Sequence, residues 1–345
     1  KNKFLFCFKI NCCFLWLRRR YYRSTIKAKK SVFALFCSRL FVPLQSKNMK
    51  REFWYHFVAL LTVAIWGSTF VFTKMLLQNG LSPAQIFTLR FILAYVLLEV
   101  VTLVAGDKVK WLSNSVKDEV LMMLLGVTGG SLYFLTENAS LVYTTATNTS
   151  LIVCTCPIFA MLLLKLVYPK SERVTKTMVL GSVIACLGMA VVVLNGRFVL
   201  HLSPLGDMLA FGACICWAFY SLMMKDVLRR YGTIFITRKV FFYGIVTILP
   251  YYLIVPGFPP VEVLLRPVVL LNLLFLSVVA CMLCYLMWNW VIGKLGAVVA
   301  TNWVYFNPIT TILFAWWLLD ENIIIWFLLG SILIIAGMVL CNYKK

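Results

Sequence analysis

The sequence predicts an all-α integral membrane protein of ten transmembrane helices arranged as two inverted five-helix repeats. Three observations predict it. The chain contains ten apolar runs of membrane length, its basic residues gather on one side of those runs, and its two halves repeat each other over an odd number of helices.

The apolar runs come first. Of 345 residues 62% are hydrophobic and 13% charged, whereas soluble domains carry roughly a quarter charged residues. The mean hydropathy is +0.91. A bilayer core needs about 20 apolar residues per helix. Runs of that kind lie near 54–76, 84–105, 118–139, 145–168, 174–195, 205–224, 235–255, 268–292, 296–318 and 323–342. Connections are short, so the backbone must satisfy its own hydrogen bonds, which favours helices. The alternating pattern of an outer-membrane barrel is absent.

The net charge of +21 invites a nucleic-acid partner, but its distribution argues against one. Residues 1–48 hold 12 Lys and Arg and no Asp or Glu. Beyond them, with the residue-49 end in the cytoplasm, 17 basic residues fall on the cytoplasmic side and 4 elsewhere (Arg197, Arg266, Lys74 and Arg90). This is the positive-inside pattern, and it predicts an inner (plasma) membrane protein with both termini cytoplasmic. The basic stretch before Met49 reads as an upstream segment outside the fold, with a targeting peptide as the alternative.

The repeat appears at an offset of 151, which aligns Trp66 with Trp217, Lys74 with Lys225, Asn138 with Asn289, Ala146 with Ala297 and Pro157 with Pro308. An offset of 149 then aligns Glu172 with Glu321, Gly181 with Gly330 and Gly188 with Gly337. Five helices per copy means that the second copy runs inverted, an architecture of alternating-access carriers.

Several local patterns follow the same order: Trp66-Gly67-Ser68-Thr69-Phe70, Pro83, Arg90-Phe91, the small-residue run Thr144 to Ser150, and Pro157. The second half has Gly206-Asp207, Trp217-Ala218-Phe219-Tyr220, Tyr285, Trp288-Asn289, Gly296-Ala297, Pro308 and Asp320-Glu321. In order and spacing, residues 52–343 resemble the EamA branch of the drug/metabolite transporter superfamily. That resemblance implies a carrier, usually an exporter of small metabolites such as amino acids. Leu319-Asp320-Glu321 stands where the family has Leu-Gly-Glu, a mild departure.

Polar residues inside a membrane are costly, so they are candidates for function. Thr62, Trp66, Thr69 and Thr73 share one helix face, as do Tyr133, Glu137 and Ser140, and Tyr285, Trp288 and Asn289. With Asn148, Asn302, Trp217 and Arg90, these predict a polar cavity between the halves. The predicted substrate-binding residues are Trp66, Thr69, Arg90, Tyr133, Glu137, Asn148, Trp217, Tyr285, Trp288, Asn289 and Asn302. Arg90 offers a two-pronged guanidinium to a carboxylate. Glu137 and Glu99 are the proton-coupling candidates, since a carboxylate taken out of water can hold and release a proton. Glu99 lies nine residues, about 13 Å, from Arg90, too far for a direct pair.

Each feature also has a plainer reading. Thr and Asn side chains often bond helix to helix, and Lys74 and Lys225 near span ends often reach to the headgroups. Gly129-Gly130 reads as close helix packing, Pro157 and Pro308 as kinks, and Glu172 and Glu321 as helix caps.

No catalytic residue, cofactor or metal site is predicted. Cys154-x-Cys156, Cys214-x-Cys216 and Cys281-x-x-Cys284 lie in apolar runs, and the chain has only His56 and His201 as further soft ligands. There is no Walker motif, so a secondary carrier is expected. Its partners are the lipid bilayer and a small-molecule substrate, with a proton and a second copy of the chain as further candidates. A membrane enzyme acting on a lipid-linked substrate is the alternative, although clustered catalytic groups are missing. A non-transporting receptor leaves the repeat unexplained.

Overall fold

The structure, a computed structural model, describes residues 48–104, 111–167, 175–194, 203–255, 257–320 and 325–342. The basic leader and the connections carrying Glu172 and Glu321 lie outside the described residues. Among the described residues ten long helical runs follow in order, with one four-residue helix (Val261–Leu264) between the seventh and eighth: α1 (Asn48–Gln78), α2 (Pro83–Val104), α3 (Val116–Tyr143), α4 (Ala146–Val167), α5 (Lys176–Leu194), α6 (Pro204–Val227), α7 (Thr233–Ile254), α8 (Pro267–Leu295), α9 (Ala297–Leu319) and α10 (Ile325–Asn342). Among the described residues there is no strand. Eight runs are long and apolar enough to cross a membrane. The other two, α5 and α10, supply shorter apolar stretches, Lys176–Val191 and Leu328–Asn342.

Local chemistry sets the helix starts. Ser82 and Gln85 form a reciprocal capping box at α2: the Gln85 amide donates to the Ser82 hydroxyl (3.2 Å) and the Ser82 amide donates to Gln85 Oε1 (2.9 Å). Ser115 caps α3 and Thr145 caps α4 in the same side-chain-to-amide way. Pro204 and Pro267 open α6 and α8, where a missing N–H costs nothing. Gly296, at φ 84°, makes the one-residue link from α8 to α9, a conformation that favours glycine. The outer surface is lined by apolar residues such as Val96, Val100, Phe219, Val246 and Ile332, as a lipid-facing surface requires.

The halves pack with a pseudo-twofold relation that glycine makes visible. A Cβ on Gly181 would sit 2.6 Å from the Gly337 carbonyl, and one on Gly188 would sit 2.7 Å from the Gly330 carbonyl. The repeat aligns Gly181 with Gly330 and Gly188 with Gly337, so each glycine faces the counterpart of the other. Such crossed pairing arises when repeat-related helices meet antiparallel. Backbone-to-backbone approach of this kind is how small residues associate helices in lipid. Gly337→Val should therefore force α5 and α10 apart, because its Cβ would lie 2.5 Å from Ala185 N and Gly181 O. The expected cost is about 1–3 kcal/mol, read as a lower melting temperature in detergent. Gly212→Ala, whose nearest new contact is 3.7 Å away, should melt like the parent.

Four helices depart from regular geometry, in two repeat-related pairs. α3 contains a π turn at Val127–Ser131 and α8 a longer one at Phe275–Leu283. The 151 offset carries the first into the second. α4 breaks into Ala146–Val153 and Cys156–Val167, while α9 passes through a 3-10 segment at Asn302–Phe306. The breaks lie just before Pro157 and Pro308. A proline lacks the N–H that the carbonyl four residues earlier would receive, and its ring crowds that carbonyl. Those carbonyls belong to Val153 and Val304. The Val304 carbonyl is taken up by the Asn307 amide and by the Cys154 thiol, the latter at 3.2 Å. The two broken helices are thus linked at their breaks.

Candidate functional site

A cavity lies between the halves where these irregular segments converge. Trp66, Thr69 and Phe70 of α1 line it together with Tyr133, Phe134 and Glu137 of α3. Trp217 of α6 and Tyr285 of α8 close it from the second half, and Val153, Val304 and Asn307 enter from the breaks in α4 and α9. Trp66 and Trp217, equivalent in the repeat, meet edge to face with ring centroids 5.1 Å apart. Tyr285 stands 6.0 Å from Trp66 and 6.2 Å from Trp217. The free volume is about 30 Å³, room for about two waters. Ligand pockets run to about 300–1,000 Å³, so a ligand of that size would need the aromatic walls to part.

Arg90 and Glu137 bring charge into this apolar enclosure. Arg90 is 1% exposed. Its Nε donates to Cys281 Sγ at 3.1 Å and its guanidinium lies 4.3 Å from the Phe134 ring centre, a favourable cation–π placement. One of its terminal nitrogens is buried with no hydrogen-bond partner. Glu137 accepts from the Tyr133 hydroxyl at 2.8 Å. It forms no ion pair with Arg90, although both line the cavity. Asn307 adds a buried side-chain oxygen, also without a partner. Unmet buried polar groups cost stability unless something pairs with them. Donor, acceptor and aromatic surface together suit a small ligand with an anionic group, a cationic or N–H group and an apolar body.

Other residues predicted for the site are engaged elsewhere. Asn289 accepts from the Tyr220 hydroxyl (2.8 Å) and donates to Thr237 Oγ1 (3.0 Å). Asn302 donates to Asn342 Oδ1 at 3.2 Å, fastening α9 to α10. Asn148 donates to Asp207 Oδ1 (2.6 Å) and Thr144 Oγ1 (2.9 Å) at the starts of α4 and α6. These amides act as links between helices. Trp288 stands behind the cavity wall, its ring 5.1 Å from Trp66. Lys74 is engaged within the protein. It donates to the carbonyls of Leu141 and Thr144 (3.0 Å to the latter), where the end of α3 favours a cation. Phe70, Phe134, Val153, Val304 and Asn307 were not among the expected site residues. The repeat offset relates Val153 to Val304, and that relation is a signal that points to both.

Glu99, the second proton-coupling candidate, lies outside the cavity lining. Its Oε1 accepts from Arg238 Nε at 2.6 Å. Beside this pair, Lys239 binds Glu119 and Arg230 binds Asp118. The Tyr231 hydroxyl adds a 2.7 Å bond to Asp118, and the Arg238 guanidinium lies 5.2 Å from the Trp111 ring centre. All three ion pairs join α2 and α3 of the first half to α7 and the turn before it in the second. All lie at the membrane end predicted to be cytoplasmic, where Glu99 stands about 13 Å along α2 from Arg90. At the opposite end the halves are joined by hydrogen bonds such as Gln85 Nε2 to Gly257 O (3.1 Å).

The profile of the EamA-like transporter family matches residues 53–194 and 204–343, one match in each half. The chain is 28% identical over 297 residues to an uncharacterized transporter of Archaeoglobus fulgidus, spanning 84% of this chain and 98% of that one. It is 28% identical over 295 residues to a Salmonella typhimurium protein named "Probable amino-acid metabolite efflux pump", spanning 82% and 92%. A Streptantibioticus cattleyicolor protein named "Probable terminal-alkyne amino-acid exporter" is 26% identical over 286 residues, spanning 83% and 92%. A solved crystal structure superposes with a TM-score of 0.64 over 83% of this chain and 96% of its own, at 17% identity. At that identity the likeness shows the fold.

Proposed function

The chain belongs to the EamA-like transporter family, and on that footing we propose that it is a secondary carrier exporting small amino-acid-like metabolites by alternating access, with Glu137 carrying a coupled proton. The observation that carries this reading is the central cavity. Arg90 and Glu137 share it without pairing to each other, in a chamber walled by Trp66, Trp217 and Tyr285. A substrate carboxylate meets the unpartnered Arg90 nitrogen in a charge-assisted hydrogen bond. An ammonium group meets Asn307 Oδ1 and the aromatic faces, and an apolar side chain packs on the tryptophans. The names of the Salmonella and Streptantibioticus relatives support the amino-acid reading.

Alternating access follows from the inverted halves. The cavity opens to one side when the halves rock apart at that end. Opening towards the predicted cytoplasmic face separates Glu99 from Arg238, Glu119 from Lys239 and Asp118 from Arg230, and substrate loads there. Closing that end restores the ion pairs and releases substrate outside. The positive-inside count supports both termini on the cytoplasmic side of the plasma membrane.

The test is flux through the purified full chain in liposomes, with a panel of radiolabelled amino acids and a pH gradient. Gradient-driven movement of at least one panel member, above protein-free liposomes, is the expected result. A folded, inserted protein that moves none of them overturns the reading.

A further inference from the structure

The two π turns are each held by a cavity aromatic from the opposite half. The Tyr285 hydroxyl, from the second half, donates to the Gly129 carbonyl in the first-half π turn. Trp66 Nε1, from the first half, donates to the Ala280 carbonyl in the second-half π turn at 2.9 Å. Gly129 and Ala280 are equivalent at the 151 offset, so both tethers fall on the same point of the repeat. A π turn carries one residue too many for the regular helical ladder, which leaves its carbonyls open to an outside donor. Gly130, beside the first acceptor, has non-helical dihedrals (φ −132°, ψ −105°). A Cβ on Gly129 would lie 2.2 Å from the Tyr220 ring, so this backbone is pressed against the second half.

We propose that Tyr285 and Trp66 are positioning residues that couple filling of the cavity to the shape of α3 and α8. The inference rests on the carrier reading above. The cavity has about 30 Å³ free, so a metabolite can be seated only if its aromatic walls move. The rings that move are those whose polar ends hold the π turns. Filling the chamber therefore releases both tethers, and the π turns become the hinges about which the halves re-pack.

Hydrogen–deuterium exchange on the full chain tests this, with each half read separately. In the empty protein, Tyr285→Phe should speed amide exchange about fivefold around 127–131 and leave 275–283 as in the parent, the effect of losing one ordinary hydrogen bond. Trp66→Phe should do the reverse. A general loss of packing would loosen both turns together. In the parent, a mixture of L-amino acids at millimolar concentration should raise exchange in both π turns. Unchanged exchange in the empty variants would overturn the tethers, and if Trp66→Phe does not fold, Tyr285→Phe alone decides. Unchanged π turns in a parent that transports the same amino acids would overturn the coupling while leaving the carrier reading intact. A parent that transports none of them sinks the carrier reading and the coupling with it, and the tethers are still judged on the empty protein.

Discussion

Arg90→Ala is expected to remove high-affinity substrate binding. Truncating one partner of a buried, hydrogen-bonded charge pair costs about 2–5 kcal/mol, which corresponds to a roughly 30- to 5,000-fold rise in KM. Arg90→Lys should recover little, because an ammonium lacks the planar fork that matches a carboxylate. The lysine variant also controls for packing, since it keeps a cation and most of the stem beside Phe134. The measurement is the concentration dependence of amino-acid flux in liposomes, compared with melting temperature. A folded Arg90→Lys protein with the parent's KM would remove the guanidinium from the binding site and leave it a structural contact of Phe134 and Cys281.

Glu137→Gln should uncouple transport from protons. The amide keeps the shape of the carboxyl and can still accept from the Tyr133 hydroxyl, now at 2.8 Å from Glu137 Oε1, but it cannot titrate. One pH unit across the membrane is worth about 1.4 kcal/mol per proton and can sustain about a tenfold concentration ratio of substrate. The variant should reach equal concentrations on both sides and no more, at every gradient applied. Exchange of labelled for unlabelled substrate at equal pH should persist, because loading and rocking need no net proton movement. Gradient-driven accumulation by the variant equal to the parent's would show that another group, or another ion, supplies the coupling.

The two predictions rest on residues that the sequence marked for the same reason. Arg90 and Glu137 stood out because charge inside an apolar run is expensive, and the structure brings them into one chamber. The tryptophan pair was legible through the repeat, since residues on a pseudo-twofold axis meet their own counterparts. Asn148, Asn289 and Asn302 looked equally polar on paper. An amide reads the same in sequence whether it faces a cavity or a hydroxyl on the next helix, and only the packing distinguishes Tyr220 as the partner of Asn289. Glu99 was separable from Arg90 by helix rise alone, but its partner Arg238 lies 139 residues away, beyond any local pattern. The π turns left only a hint in Gly129-Gly130. The second turn contains no glycine (Phe275–Leu283), so its irregularity comes from the packing of α8 against the first half. Val153 and Val304 line the cavity because the prolines four residues later break their helices, a consequence of proline chemistry that acts at a distance in sequence.

Within the alternating-access cycle proposed above, the one-sided ion pairs would have an energetic consequence. If the two halves were chemically identical, the inward-facing and outward-facing forms would be mirror states of equal free energy, and the empty protein would divide itself evenly between them. Glu99–Arg238, Glu119–Lys239 and Asp118–Arg230 lift that degeneracy, because their repeat counterparts carry no matching set of opposite charges. At about 0.5–1 kcal/mol for each of the Glu99–Arg238 and Glu119–Lys239 pairs, these two alone would favour the form sealed at their own end by about 5- to 30-fold. In that proposed cycle the unloaded molecule would be biased towards one side before any gradient is applied, and a gradient would act on a resting point that the charges have already chosen.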